Sequence, residues 1–374
     1  MRVAVAQCGG PTPVVNASLH GALEVLAAGG ATALGVAGGT RGLLAGALRP
    51  LPGPPPSWLL RAPGAALGAG RLALDPGGVR QMLERLGAAR VDGLLLIGGN
   101  GTMRLALELA EAGTPLLVAG CPKTIDNDLA GTDHCPGYPS AAAFVARALR
   151  DLATDLRAMA GFEDVRLIEV MGRRAGWLCG AAVLARAHPG DLPQRVLLPE
   201  EPVDPDALAE ELAGLHRRDG SVLIAVAEGV CGPDGRPLGL GALDRAGRLP
   251  VLGGAAAVLA GQLRQRLGLA VRAESLGFLP RCLGLAAGRR DRAEARELGR
   301  RAAGALLQGR GGVLAALAPR DHPAQAPRYA LVPLAEVAGR ERPLPPGMRD
   351  LGPAFEDWLR PLLDLPARWP LARW

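Results

Sequence analysis

The segment Pro122-Lys123-Thr124-Ile125-Asp126-Asn127-Asp128 packs a cation, a hydroxyl and two carboxylates into six residues. A carboxylate held beside an alcohol can take its proton as a new bond to oxygen forms. Two carboxylates close together push their titrations apart, so one can act as base while the other steadies a metal ion or water. Were the segment extended, Thr124, Asp126 and Asp128 would share one face. Lys123 would then point to the other side, where it can meet a phosphate. At ~4 Å and an effective dielectric of about 20, one such charge pair is worth about 4 kcal/mol before desolvation. Lys123 is the single lysine among 42 Lys and Arg residues. A compact ammonium suits a position where a planar guanidinium will not fit. The plainer alternative is an Asx-rich turn carrying a chance lysine.

Three glycine turns follow apolar runs: Gly9-Gly10-Pro11-Thr12, Gly38-Gly39-Thr40 and Gly98-Gly99-Asn100-Gly101-Thr102. Glycine lets backbone N–H groups converge on an anion, and a following helix adds its positive end. None of the three is a Walker A loop or a dinucleotide fingerprint. One alone would be an ordinary turn; three at one sheet edge point to a phosphate site. A further string, Glu169 to Trp177, ends an apolar run with Met171-Gly172-Arg173-Arg174. Arginines at a helix start oppose its dipole, so an anionic partner would explain them. Arg71, Glu228, Arg272 and Arg281, with Phe278 between the last two, say little individually.

Positioning these groups takes a regular scaffold. Apolar strands at Val3–Gln7, Ala33–Ala37, Gly93–Ile97, Pro115–Ala119, Val165–Val170 and Val222–Val226 alternate with helical spacing. The helices are expected at Ala17–Ala28, Val79–Leu86, Thr102–Ala112, Ser140–Met159, Ala255–Leu267 and Ala293–Leu307. That alternation predicts an α/β chain with doubly wound, mainly parallel sheets covered on both faces. Ligands bind such sheets at the strands' C-terminal edge. Residues 49–58 hold five prolines and read as an irregular loop; the tail from about Arg340 reads as a surface wrap. The expected division is one lobe at 1–137 with 281–320 and another at 138–280 with 321–374.

Composition removes other classes. Apolar residues make 49% and charged residues 21% of 374, which suits a globular chain rather than a disordered one. Aromatics at 3% and the absence of a basic run argue against nucleic acid, despite a net charge of +6. No apolar stretch is long enough to span a membrane. Six cysteines without C-x-x-C spacing read as buried free thiols in a reducing compartment. The cytoplasm is the expected location.

Together the strings resemble the 6-phosphofructokinase family from about Val3 to Gly312. PKTIDND at 122–128 is the most specific element. Gly9-Gly10 with Asn16, GGNGT at 98–102, MGRRAGW at 171–177, Glu228-Gly229 and LGFLPR at 276–281 fall in family order. The strings GGPTPVVNASL and GTDHCPGYPSAAAF look like its pyrophosphate-using branch and that branch's close bacterial relatives. The resemblance implies phosphoryl transfer to the 1-hydroxyl of fructose 6-phosphate. Asp126 would be the base, Thr124 and Ile125 would contact the sugar, and Asp128 would support metal or phosphate. Arg71 and Arg173 would flank the reacting groups. Met171, Gly172 and Glu228 would line the sugar, and Arg272, Phe278 and Arg281 would take the 6-phosphate. Gly10, Gly99, Asn100, Gly101 and Thr102 would hold the donor and Mg²⁺, with Asn100 at the metal-associated position. A homodimer or homotetramer is implied, since the family draws one arginine from a neighbouring subunit.

The departures matter. Asn100 stands where the family usually has Asp, and Pro280 where it has Gln. In the family a glycine like Gly101 leaves room for ATP, whereas a lysine like Lys123 goes with pyrophosphate, so the resemblance makes pyrophosphate the expected donor. An ATP-dependent enzyme is the alternative, and a catalytically silent phosphosugar-binding subunit a third reading. Sedoheptulose 7-phosphate would present a similar hydroxyl. Asp164, His20 and Glu24 stand where regulated bacterial relatives carry effector-binding arginines, so control by ADP or phosphoenolpyruvate is not expected.

Overall fold

The segment Gly93–Gly98 has no polar side chain and is buried along its whole length, as a strand covered on both faces must be. The computed structural model describes all residues except 71–75, 189, 244–249, 323–324 and 367–374. In chain order the strands are β1 (Arg2–Gln7), β2 (Thr32–Val36), β3 (Leu48–Pro50), β4 (Gly93–Gly98), β5 (Leu117–Pro122), β6 (Val165–Val170) and β7 (Arg195–Leu197), followed by β8 (Val222–Ala227), β9 (Leu240–Leu243), β10 (Pro250–Leu252), β11 (Val271–Ser275), β12 (Val313–Leu317) and β13 (Tyr329–Pro333). The helices are α1 (Val15–Ala28), α2 (Gly39–Ala45), α3 (Pro76–Ala88), α4 (Asn100–Ala110), α5 (Tyr138–Ala158) and α6 (Trp177–Gly180), then α7 (Pro205–Asp219), α8 (Ala255–Leu267), α9 (Leu279–Cys282), α10 (Arg289–Leu307), α11 (Leu334–Val337) and α12 (Pro353–Leu359).

The chain divides into two units, Met1–Ala141 with Arg281–Arg342, and Ala142–Pro280 with Pro343–Trp374. The first is built on a sheet of order β13-β12-β5-β4-β1-β2-β3. Its five central strands are parallel and its two edges antiparallel. The order reverses between β1 and β4, the place where open α/β sheets form a ligand crevice. Ala4, Ala6, Leu94 and Leu96 pack on one face with Met82, Leu86 and Met103. Val3, Val5, Leu95 and Ile97 pack on the other with Leu19, Leu26, Leu298 and Leu306. On that second face α1 and α10 meet backbone to backbone. A Cβ on Gly21 would lie 1.9 Å from the Arg296 carbonyl oxygen, and one on Gly299 2.0 Å from that of Ser18. Glu24 binds Arg296 at 2.6 Å and Arg300 at 3.3 Å across the same pair.

The second unit holds a parallel sheet of order β11-β6-β8-β7 and the antiparallel pair β9-β10. The tail is more than a surface wrap. Phe355 of α12 is fully buried, and the rings of Trp177, Phe355 and Trp358 cluster in tilted contact with centroids 4.8–6.4 Å apart. The returning segment also runs past 320, because β13 completes the first unit's sheet. Four cysteines are buried as expected, but Cys231 is partly exposed and Cys282 exposed; all six are free thiols. Among the described residues no helix is long and apolar enough to cross a membrane.

Candidate active site

In the first unit the turns after β1 and β4 and the loop after β5 come from adjacent strands. α4 begins at Asn100, earlier than its periodicity suggests, so Asn100, Gly101 and Thr102 form its first turn. Gly99 precedes them with no side-chain cap, leaving the first N–H groups without helical partners. Thr102 is buried, and a Cβ on Gly101 would meet nothing within 4 Å.

The loop after β5 departs from the extended reading. Asn127 adopts φ 55, a left-handed conformation that Asn tolerates better than most residues. Thr124 Oγ1 accepts the Asp126 N–H at 3.1 Å and donates to Asp128 Oδ1 at 3.3 Å. The segment is therefore a compact turn. Thr124, Asp126 and Asp128 do share the more open side, but Thr124 and Asp128 meet because the chain curls. Asp126 sits half-buried between them, while Ile125 and Asn127 point into the protein and are buried.

Lys123 is 4% exposed, and its Nζ donates to the Gly10 carbonyl oxygen at 2.5 Å. The lone ammonium thus ties the loop after β5 to the turn after β1. Asn100 Nδ2 donates to the Asp128 carbonyl oxygen at 2.9 Å and to Asp128 Oδ2 at 3.3 Å. Asn100 Oδ1 is buried without a hydrogen-bond partner. Lys123, Thr124, Asp126, Asp128, Asn100 and Gly10 are thus gathered within one unit.

Sequence reasoning missed the groups that hold this turn. Asn127 Oδ1 accepts the Cys135 N–H at 2.9 Å, and Thr124 bridges Gly137. The Arg342 N–H reaches the Asp128 carbonyl oxygen at 2.8 Å, and its guanidinium binds the carbonyl oxygens of Thr132 and Asp133. The Asp-Asn-Asp run was the available signal for a left-handed turn. Nothing in the tail's composition marked Arg342.

In the second unit the residues after β6 and β8 lie side by side. The N–H groups of Glu228 and Gly229 donate to the carbonyl oxygens of Val170 (2.9 Å) and Gly172 (3.1 Å). Arg173 Nε lies 3.5 Å from Glu228 Oε1. Burial raises the Glu228 carboxyl above its ordinary value, and Arg173 opposes that rise. Met171 is half-buried and Gly172 buried at φ 143. Glu169 caps α8, accepting from the N–H groups of Gly254 (3.0 Å) and Ala256 (3.1 Å). Arg272 on β11 is exposed with its guanidinium 5.3 Å from the Phe162 ring centroid, and Phe278 is 65% exposed. Arg281, on α9, belongs to the first unit and is partly exposed. Arg71 lies outside the described residues.

The glycine turns after β1 and β4 lie at the topological switch point, beside a loop carrying a hydroxyl, two carboxylates and a buried ammonium, and the comparisons make this α/β protein a phosphotransferase. It acts on a sugar-phosphate hydroxyl. The family model described as Phosphofructokinase matches residues 2–306, and the chain belongs to that family. It is 35% identical over 374 residues to the sulfofructose kinase of Alkalicoccus urumqiensis, covering 98% of this chain and 96% of the relative. It is 36% identical over 363 residues to the pyrophosphate–fructose 6-phosphate 1-phosphotransferase of Xanthomonas campestris, covering 91% and 85%. An ATP-dependent 6-phosphofructokinase of Thermus thermophilus is 34% identical over 317 residues, covering 84% and 88%. The crystal structure of the pyrophosphate-dependent phosphofructokinase from Marinobacter aquaeolei superposes with a TM-score of 0.84 at 26% identity, covering 99% of this chain and 93% of that one.

Proposed function

We propose that the protein transfers a phosphoryl group from pyrophosphate to the 1-hydroxyl of fructose 6-phosphate. The observation that carries this reading is the buried Lys123, whose Nζ sits on the Gly10 carbonyl beside the Thr124–Asp128 turn. There a compact cation can hold the leaving phosphate, which in a nucleotide would have other contacts. Asp126 is the base, and Thr124 orients the sugar. Asp128, already bonded to Thr124 and Asn100, supports the transferring group. Gly10, Gly99 and Thr102 offer backbone and hydroxyl donors to the donor phosphates. The catalysis is mostly positioning and charge neutralisation, as phosphoryl transfer requires.

The first unit is then the donor lobe, contributing Thr124 and Arg281 to the acceptor, and the second supplies the other sugar-phosphate groups. Met171, Gly172, Arg173 and Glu228 face the sugar, Arg272, Phe278 and Arg281 serve its 6-phosphate, and Arg71 with Arg173 flanks the reaction. A homodimer or homotetramer in the cytoplasm completes the proposal.

Among the described residues no group of three or more His, Cys, Asp or Glu could hold a metal ion. The donor set still suits Mg²⁺, which commonly takes one or two carboxylates and completes its shell with substrate phosphates and water. Asp128 and the unpartnered Asn100 Oδ1 would hold it, leaving the base role to Asp126, and the ion would neutralise charge on the donor. Asn100→Asp would set a carboxylate where Asn100 Nδ2 now lies 3.3 Å from Asp128 Oδ2. The variant is expected to melt below the wild type in chelator and to recover with Mg²⁺. Thermal unfolding with and without the ion checks this.

Two observations favour neighbouring readings. A Cβ on Gly101 would meet nothing within 4 Å, and that open side supports ATP as the runner-up donor. The similarity to a sulfofructose kinase, with Pro280 and exposed Phe278 near the expected 6-phosphate contacts, supports a sulfonated sugar as alternative acceptor. Absence of effector control is supported by the present occupation of the equivalent positions. Glu24 pairs with Arg296 and Arg300, and Asp164 accepts the Ala270 N–H at 2.8 Å. The deciding experiment crosses pyrophosphate and ATP with fructose 6-phosphate, sulfofructose and sedoheptulose 7-phosphate. Highest kcat/KM for pyrophosphate with fructose 6-phosphate is expected; preference for ATP, or for another acceptor, replaces the corresponding half of the proposal.

A further inference from the structure

Behind the Thr124–Asp128 turn lies a buried charge cluster that the proposed chemistry does not use. His134 is 1% exposed, with Nδ1 2.8 Å from Asp133 Oδ2 and Nε2 2.7 Å from Glu294 Oε2. An imidazole with a carboxylate at each nitrogen is stable there only as the cation. In the neutral ring one nitrogen would aim a lone pair at a carboxylate oxygen. Behind each carboxylate stands an arginine. Arg320, after β12, reaches Asp133 at 3.0 Å, and Arg290, on α10, reaches Glu294 at 2.8 Å. Charges therefore alternate from Arg320 through Asp133, His134 and Glu294 to Arg290. One turn earlier on α10, fully buried Asp291 accepts the N–H groups of Gly137 (2.9 Å) and Ser140 (3.1 Å) and the Ser140 hydroxyl (2.5 Å).

These contacts staple residues 133–140 to α10 at two points. The stapled residues are also the ones that shape the candidate catalytic turn: the Cys135 N–H holds Asn127 in its left-handed conformation, and Gly137 bridges Thr124. The route from His134 to Asp126 is thus short: one peptide link to Cys135, its hydrogen bond to Asn127, and one peptide link on to Asp126.

We propose that His134 is a positioning residue: as a cation clamped between Asp133 and Glu294, it fixes the 133–137 loop against α10 and so sets the orientation of Asp126 and Asp128. The assignment of those two residues rests on the function proposed above; the clamp itself does not. Burial alone would lower the imidazole pKa, but the hydrogen bonds to Asp133 and Glu294 outweigh it and leave the value raised. A raised imidazole value gives a contribution fully present below the ordinary value of 6.5 and lost as pH climbs through the folded one. The clamp therefore loosens on the alkaline side.

The test compares wild type, His134→Gln and Glu294→Gln by hydrogen exchange and by steady-state kinetics. His134→Gln removes the cation while keeping one amide donor; Glu294→Gln keeps the ring and removes one charge that holds its proton. Both variants are expected to speed exchange by ~10-fold at residues 123–129 while leaving β4 protected. Wild-type exchange there, corrected for intrinsic rate, should rise with alkaline pH, and that rise should vanish in His134→Gln. With substrates that turn over, kcat should fall by ~10-fold with KM for the sugar changed less than about threefold. Unchanged exchange at 123–129 in both variants overturns the proposal. So does faster exchange spread evenly over the first unit in step with lost stability. If exchange responds as stated but no donor and acceptor give turnover in wild type, the clamp stands and the proposed reaction falls.

Discussion

Asp126→Asn is expected to lower kcat by ~10²–10⁴-fold while KM for fructose 6-phosphate stays within about threefold. A sugar alcohol is a very weak acid, so its proton must leave as the bond to phosphorus forms. Asn has nearly the same shape and keeps a carbonyl oxygen, but it cannot take the proton. Its backbone N–H can still donate to Thr124 Oγ1, so the turn should survive. The split between kcat and KM is the informative part. Removal of a group used only in the transition state lowers turnover alone, whereas collapse of the turn would also weaken sugar binding. Steady-state kinetics with the preferred donor, at matched thermal stability, measures both. A variant that retains more than about a tenth of wild-type kcat would remove Asp126 as the base.

The second large effect is expected at Lys123. Lys123→Met keeps most of the buried stem and loses the ammonium. A hydrogen bond to a charged group contributes about 1.5–3 kcal/mol, or roughly 10–150-fold in rate. With pyrophosphate, kcat/KM should therefore fall by about that factor, while the ATP rate is unchanged or higher. A fall of equal size with both donors would assign the ammonium to a group common to both reactions and end its role in donor choice. Lys123→Gly gives the converse arm. Retention of a substantial ATP rate there would favour the nucleotide reading that Gly101 permits. The lost bond to the Gly10 carbonyl loosens the first glycine turn in either variant, so thermal unfolding must accompany the rates.

Much of this organisation is legible before any coordinates. Strands such as β4 and β8 are apolar throughout and bounded by Gly or polar residues, and their positions follow from that pattern alone. α7 falls outside the expected elements although Asp204 and Pro205 form a helix start, and the Asp204 carboxylate does accept the Asp206 N–H at 2.9 Å. β12 falls outside them too, although its apolar run lies between Gly312 and Pro319. The curl at Asn127 is different, because PKTIDND suits a strand continuation as well as a turn until φ is known. The His134–Glu294 pair spans 160 residues, and the Arg342–Thr132 contact spans 210. Spacing along one chain carries no trace of such pairings; only the sheet order that brings β12 beside β5 creates them.

The close backbone seam between α1 and α10, opened by Gly21 and Gly299, sets a schedule for biosynthesis. One wall of the first unit's sheet is supplied by residues 289–307, yet the strands it covers are translated at the start. Until the ribosome has released roughly 300 residues, Val3, Val5, Leu95 and Ile97 lack half their cover. At a pace of about 5–20 residues per second that interval lasts some ~15–60 s. During it the apolar face of β1 and β4 that α10 later covers stays open.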